Sequence, residues 1–232
     1  MNKINILGIK YSDISIAEAV EYSMRVIDTR EGSYVLAPDS ELALSARKSR
    51  NLMSAIRGAA LILPGDRGIF IASKILGLPL HYKMSGTDYV SALLARLSGQ
   101  GGSIFLLGSR PQSVKLAADG IIERYPGIKL AGTADGRFVD DTELLDVIND
   151  VSPDLLLVCM SSPKQELWLA DACTELNVGL SVGTRYGHRG TPQRGVLPPS
   201  VSQSRPDAEN TAHDTRSTLE KDCRVIPAIW SI

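Results

Sequence analysis

Cysteine is scarce in this chain: Cys159, Cys173 and Cys223 lack the spacing of a metal knuckle and form no disulfide framework. A reducing cytoplasm is the setting that such usage fits, with Cys159 reading as a small core hydrophobe. An excess of either charge is also lacking. With Lys+Arg 25 against Asp+Glu 26, the formal net charge is -1, which removes the electrostatic case for a nucleic-acid partner. No apolar run approaches the roughly 20 residues of a membrane span, and the stretch at Ile4 to Gly8 is too short for a signal peptide. Membrane contact is therefore expected to be peripheral, at the inner face, and oligomerisation is left open. No Asp-x-Asp pair occurs, and His81, His188 and His213 show no pairing with a nucleophile, so neither a metal site nor a cofactor is expected.

What is present is a core. A 232-residue chain with 44% hydrophobic residues can bury one good core and fits one domain with an appendage. Strand-like and helix-like patterns alternate along it. Strands are predicted at Ile4 to Ile9, Tyr34 to Ala37, Leu61 to Leu63, Ser103 to Gly108, Ile128 to Ala131, Leu155 to Val158 and Val178 to Val182. Helices are predicted at Ser15 to Ile27 with Ser15 as N-cap, Glu41 to Arg57 with a break near Asn51, Gly68 to Leu76, Thr87 to Leu97, Pro111 to about Tyr125, Asp141 to Asn149 and Pro163 to Leu176. The fold class is α/β: a βαβ series building a Rossmann-like, mostly parallel sheet with flanking helices, followed by an irregular C-terminal tail.

One segment carries the most chemistry. The buried-strand pattern Asp154-Leu155-Leu156-Leu157-Val158-Cys159-Met160 runs into Ser161-Ser162-Pro163-Lys164-Gln165-Glu166-Leu167-Trp168. A small-residue turn and a Pro at a helix start put Lys164 and Gln165 at the carboxyl end of a parallel sheet, where open α/β folds bind ligands. Gln165 can donate and accept toward a sugar or uracil edge, and Lys164 can offset phosphate charge without a metal. Glu166 and Trp168 are assigned to the fold. The loop Gly108-Ser109-Arg110-Pro111-Gln112 follows another strand and offers free N–H groups to an anion. It lacks the three spaced glycines of a dinucleotide fingerprint, so NAD is unsupported.

The Leu-x-Val-x-x-x-Ser-Pro-Lys-Gln-Glu-x-Trp pattern resembles the signature of the WecG/TagA/CpsF glycosyltransferases, over residues 1 to 183. The resemblance implies an inverting, metal-independent transfer of N-acetylmannosamine from a UDP-sugar donor to N-acetylglucosamine on undecaprenyl diphosphate, in teichoic-acid or related surface-polysaccharide synthesis. Related members use a mannosaminuronic acid donor or build capsule and exopolysaccharide. Inversion needs one general base, and Asp66, in Leu63-Pro64-Gly65-Asp66-Arg67-Gly68, is the candidate. The family reads Pro-Asp-Gly there, the order being swapped here; the alternative is an ordinary helix cap. Asp39, in Ala37-Pro38-Asp39-Ser40-Glu41, matches a family Asn that holds substrate, with helix capping as the equal alternative. Lys83, in Lys83-Met84-Ser85-Gly86-Thr87-Asp88, matches a basic position near the diphosphate, a solvated lysine being the alternative, and Thr87 or Asp88 is expected to cap the next helix. Gly108 and Gly136, the latter in Gly136-Arg137-Phe138, are expected to shape the nucleotide edge beside Lys164 and Gln165, a plain turn being the alternative and commoner meaning of Gly136.

From residue 184 the pattern breaks. Between Thr184 and Thr215 the only hydrophobic residues are Tyr186, Val196, Leu197, Val201, Ala208 and Ala212, interrupted by prolines and glycines. Residues 1–183 are expected to be the catalytic domain, and 184–232 reads as disordered. The Gly-Gly-x-Phe-Asp, Arg-Ala-Pro and Glu-Trp-Leu-Tyr-Arg elements with which the family continues are not found here. A frameshift near codon 184 accounts for this text, a divergent native tail being the alternative; under the first reading the product is a truncated, inactive nucleotide-sugar-binding protein.

Overall fold

The computed structural model describes residues 1–108, 110–136 and 141–184; the expectations for Ser109, for Arg137 and Phe138, and for the segment from residue 185 lie outside the described residues. The first expected strand is instead a hairpin. Leu7 and Gly8 have φ of 54° and 86°, the two positive values of a type I′ turn, so the apolar run folds back as β1 (Lys3–Ile6) paired antiparallel with β2 (Ile9–Ser12). This hairpin is a separate two-stranded sheet. Its Ile6, Ile9 and Tyr11 are fully buried against one face of the main sheet.

Six parallel strands form that sheet, in the order β4 (Leu61–Ile62), β3 (Tyr34–Leu36), β8 (Leu180–Gly183), β7 (Leu155–Cys159), β5 (Ser103–Gly108), β6 (Lys129–Asp135). The central strands are apolar on both sides because helices cover both. Alternation along β5 sorts the layers. Ile104 and Leu106 pack with α1 (Ile16–Thr29), α5 (Gly86–Ser98) and α6 (Pro111–Arg124). Phe105 and Leu107 pack with α2 (Ser40–Ala46), α3 (Arg50–Gly58), α4 (Arg67–Ile75), α7 (Asp141–Val151) and α8 (Lys164–Ala172). Each fully buried Leu or Ile, such as Leu155 or Leu180, contributes about 2 kcal/mol of apolar transfer energy.

Local chemistry sets the helix ends. Ser15 caps α1 in a reciprocal box, its Oγ accepting from the Glu18 N–H at 3.2 Å while Glu18 Oε2 accepts from the Ser15 N–H at 2.8 Å. Ser49 starts α3 with a simple cap, its Oγ accepting from the Leu52 N–H at 3.3 Å, which places the expected break two residues before Asn51. For α5 the cap is Ser85 rather than Thr87 or Asp88; Asp88 is the return partner of that box. The expected helix from Pro163 to Leu176 is shorter, since Pro163 stands outside it as N-cap and the helix ends at Ala172. The strand expected at Ile128 to Ala131 is longer and runs to Asp135, with an irregularity in register between Ile104 and Phe105.

Connectivity fixes where a ligand can sit. β5 leads into α6 on one face, whereas its neighbour β7 leads into α8 on the other. Adjacent parallel strands whose following helices diverge to opposite faces leave a crevice at their carboxyl ends, the switch point at which open α/β sheets bind ligands.

Candidate active site

Because all six strands are parallel, their carboxyl ends lie on one edge, and Asp39, Asp66, Gly108, Gly136, Lys164 and Gln165 lie on or next to that edge. They fall into two groups.

The first group follows β3, β4 and the start of α5. Asp39 and Asp66 stand at the N-termini of α2 and α4, and both cap: Asp39 Oδ1 accepts from the Leu42 N–H at 2.8 Å, and Asp66 Oδ1 from the Ile69 N–H at 3.0 Å. Asp39 is buried, at 8% exposure, whereas Asp66 is half-buried. Asp66 also accepts from the Ser40 N–H at 3.3 Å and from the Ser40 hydroxyl, at Oδ2, at 2.7 Å. The swapped Gly65-Asp66 order has a packing cause. A Cβ on residue 65 would lie 2.7 Å from both the Asp39 nitrogen and the Pro38 carbonyl carbon, so only glycine lets the two strand-end loops meet. Gly86 approaches from the other side, its hypothetical Cβ 3.1 Å from that of Ala37. Lys83, just before this turn, is exposed.

Tyr11 lies beneath both carboxylates and has no signal in the sequence. Burial first, then the charges of Asp66 and Asp39, push its phenol well above the ordinary value, so it stays neutral and donates toward the Pro38 carbonyl at 3.4 Å. Ser40 was likewise not anticipated, although its position directly after Asp39 in a Pro-Asp-Ser strand-end turn is the kind of signal that marks such a partner.

The second group lies at the switch point. The Gly136 N–H donates to the Gly108 carbonyl, closing the ends of β5 and β6, and a Cβ on Gly136 would meet the Met160 side chain at 3.1 Å. The Lys164 ammonium, from the first turn of α8, donates to the Gly136 carbonyl at 3.1 Å. Lys164 is exposed, so its charge faces the edge and solvent. Gln165, expected from the sequence to face a sugar or uracil edge, is buried beside the Met160 to Pro163 turn. At 3% exposure, it accepts from the Met160 N–H at 3.1 Å through Oε1 and donates to Glu166 Oε1 at 3.2 Å through Nε2. Glu166, equally buried, also accepts from the Ser162 hydroxyl at 2.9 Å. Gln165 and Glu166 thus brace the Met160 to Pro163 turn from below while Lys164 lies above it.

Gly183 joins the groups. It ends β8 between β3 and β7, and a Cβ there would lie 2.7 Å from Leu36 and 3.0 Å from Gln165 Nε2. The next residue still belongs to this edge: Thr184 is buried and its N–H donates to the Val158 carbonyl at 2.9 Å. With β8 alone between β3 and β7, the Asp39 loop and the Lys164 turn are two strand spacings apart, about 10 Å, and the Asp66 loop, which follows β4, is a third spacing away, about 14 Å. Chemically the edge combines a carboxylate able to take a proton, a cation and strand-end N–H groups, with no cluster of three or more metal-ligating side chains among the described residues.

The family model described as "Glycosyl transferase WecG/TagA/CpsF family" matches residues 4–185. A protein of Bacillus subtilis strain 168, named N-acetylglucosaminyldiphosphoundecaprenol N-acetyl-beta-D-mannosaminyltransferase, is 27% identical over 170 residues, 73% of this chain and 66% of the relative. Proteins of the same name from Bacillus spizizenii strain W23 and Staphylococcus aureus strain NCTC 8325 are 26% and 24% identical over 143 and 169 residues. These alignments take in 62% and 72% of this chain and 56% and 66% of those relatives, so the chain spans less than two thirds of the length of the curated relatives it matches. The matched region contains the hairpin, the whole parallel sheet and both groups of edge residues, and on that ground the chain belongs to the glycosyl transferase WecG/TagA/CpsF family.

Proposed function

We propose that this chain is an inverting glycosyltransferase that moves N-acetylmannosamine from UDP-N-acetylmannosamine to the 4-hydroxyl of N-acetylglucosamine on undecaprenyl diphosphate, with residues 1–183 as the catalytic domain. The observation that carries the reading is the pairing, on one strand edge inside the family-matched region, of a hydrogen-bonded carboxylate at Asp66 with the lysine and glycines of the switch point. The donor diphosphate lies over Gly108 and Gly136, where Lys164 and the first turn of α6 offset its charge. Lys83 adds a second cation from the α5 side. The acceptor hydroxyl meets Asp66, which takes its proton as the oxygen attacks the anomeric carbon and the nucleoside diphosphate leaves from the opposite face. Asp39 orients the sugar, and Gln165 acts by holding the Met160 turn. The names of the relatives supply the sugar and the lipid-linked acceptor; surface-polysaccharide or teichoic-acid synthesis is the pathway proposed for the product.

The test is transfer from UDP-N-acetylmannosamine to a polyprenyl-diphosphate N-acetylglucosamine acceptor, read by mass spectrometry. A product one N-acetylhexosamine heavier than the acceptor supports the reading. A folded chain that yields none with this donor, but does with a mannosaminuronic acid donor, would change the sugar; none with either donor would overturn the activity.

A further inference from the structure

Between Asp66 and Asp88 the chain has no acidic residue, while Arg67, Lys74 and Lys83 are basic and His81 is a further exposed polar group. The same stretch holds the main run of exposed apolar side chains: Ile71 at 45%, Ile75 at 67%, Leu76 at 51%, Leu78 at 47% and Tyr82 at 47% exposure. Soluble surfaces seldom keep so many large apolar groups together without a use.

This surface is rigidly built. Gly77 adopts φ +69° and its N–H donates to the Lys74 carbonyl at 3.1 Å, while the Leu78 N–H reaches back to the Ser73 carbonyl at 2.9 Å, closing the end of α4 in a Schellman-type turn. The fully buried Ser73 hydroxyl accepts from the Leu80 N–H at 3.1 Å, and Leu80 is itself buried. Asp13, on the end of the hairpin, then takes the His81 and Tyr82 N–H groups at 2.8 and 3.3 Å. Inward anchors at Ile69, Ser73 and Leu80 thereby turn Ile71, Ile75 and Leu78 outward. The helix that presents them begins at Asp66.

From this juxtaposition we infer that the α4 face and the 76–82 loop form a docking surface for an anionic phospholipid bilayer, the apolar side chains entering the interface and Lys74 and Arg67 meeting lipid phosphates. The charge pattern selects this occupant. A second copy meeting the same patch across a two-fold axis would set like charges against each other. The segment beyond residue 184 carries more basic than acidic residues, Arg185, Arg189, Arg194, Arg205, Arg216, Lys221 and Arg224 against Asp207, Glu209, Asp214, Glu220 and Asp222, and offers no complement either. An amphipathic surface whose exposed charged side chains from Arg67 to Thr87 are basic, with the buried Asp13 carboxylate held against His81, is what an anionic interface binds. The inference rests on the lipid-linked acceptor of the proposed function: docking through α4 brings the Asp66 end of that helix to an acceptor held in the membrane.

The test is co-sedimentation of the full chain with vesicles of phosphatidylglycerol mixed into phosphatidylcholine, and with pure phosphatidylcholine vesicles. Binding only to the anionic vesicles is expected. Lys74→Glu should lower the bound fraction about fivefold or more. Ile75→Ser with Leu78→Ser should lower it about tenfold, with circular dichroism unchanged because both side chains are exposed. Transfer to a short-chain, water-soluble acceptor should be unaffected by these variants, while transfer to a vesicle-embedded acceptor falls with binding. Equal binding to both vesicle types, or binding insensitive to these variants, overturns the docking surface even if the soluble acceptor is glycosylated. A self-association seen in sedimentation and lost in the Ile75→Ser, Leu78→Ser variant assigns the face to a second copy and overturns it too. Absence of transfer to any acceptor, with variant-sensitive vesicle binding intact, would sink the proposed activity and leave the surface standing.

Discussion

The Ser40 hydroxyl donates to Asp66 Oδ2 at 2.7 Å, so the carboxylate that caps α4 is also tied to the first turn of α2. A helix cap and a general base ask for different things of one side chain, and substitution separates them. Asn caps about as well as Asp but cannot take a proton, so Asp66→Asn should leave the denaturation midpoint nearly unchanged and lower turnover about 100-fold or more. Asp66→Ala should lose the same activity and in addition about 2 kcal/mol of stability, the cap and the Ser40 tie together. Steady-state kinetics beside urea titration decide it; an Asn variant with unaltered turnover would leave Asp66 as a cap only.

Ser40→Ala removes the tie while sparing the α4 cap made through Oδ1. The expected cost is about 1 kcal/mol, the net worth of one hydrogen bond to a charged group at a half-exposed site. Urea unfolding checks it. A stability equal to that of the parent chain would mean that solvent replaces the hydroxyl.

Gly65 and Gly86 make a graded pair. A methyl group at 65 would meet backbone atoms at 2.7 Å, which cannot yield without moving both strand-end loops, whereas one at 86 would meet only the Ala37 methyl at 3.1 Å. Gly65→Ala should therefore destabilise by about 1–3 kcal/mol and Gly86→Ala by clearly less. Thermal melting of the two variants should rank them in that order; the reverse would show that the β3 and β4 loops do not meet as described.

The Asp13 carboxylate sits 2.6 Å from His81 Nδ1. Burial pushes its carboxyl up, but hydrogen bonds from the His81 ring and from the His81 and Tyr82 N–H groups outweigh this and hold it below the ordinary 3.8. A carboxyl depressed in the folded state adds stability that is present above its unfolded value and is lost as pH falls through the folded one. The stability gap between the parent chain and Asp13→Asn should thus be largest near neutral pH and shrink as pH drops below about 4. Urea midpoints across that range measure it, and a gap that widens on acidification would contradict the pairing.

Gln165→Ala removes the buried hydrogen bonds from the Met160 N–H and to Glu166 Oε1, at a cost of about 1–3 kcal/mol. Lys164→Met removes an exposed cation and should barely change stability, yet weaken UDP binding about fivefold, the effect of one cation near a phosphate. Calorimetry with UDP on both variants, well below their melting points, distinguishes the brace from the contact. Unchanged affinity in Lys164→Met would remove the lysine from the nucleotide edge.

Much of this molecule could be read from one dimension because its signals are local. Ser15 with Glu18 three residues on announces a capping box, and Ser103 to Gly108 announces a strand buried on both faces; each depends only on neighbours a few residues away. The same locality misled at Ile4 to Ile9, where an apolar run looks like one strand until Leu7 and Gly8 turn it back. At Gln165 the residue type suits a sugar or uracil edge, while its burial and its bonds to Met160 and Glu166 are set by distant packing.

By itself the sequence determined the alternation of strands and helices, the parallel sheet, and the place of Asp39, Asp66, Gly108, Gly136, Lys164 and Gln165 at or just after strand ends, because hydrophobic period and turn chemistry are written in adjacent residues. Only the tertiary structure decided the strand order and with it the switch point between β5 and β7, the seating of Tyr11 beneath two carboxylates, the Ser40 tie to Asp66, and the outward turn of Ile71, Ile75 and Leu78. Those relations join residues far apart in the chain, and which partners meet is set by how whole elements pack, a property that no short window of sequence contains.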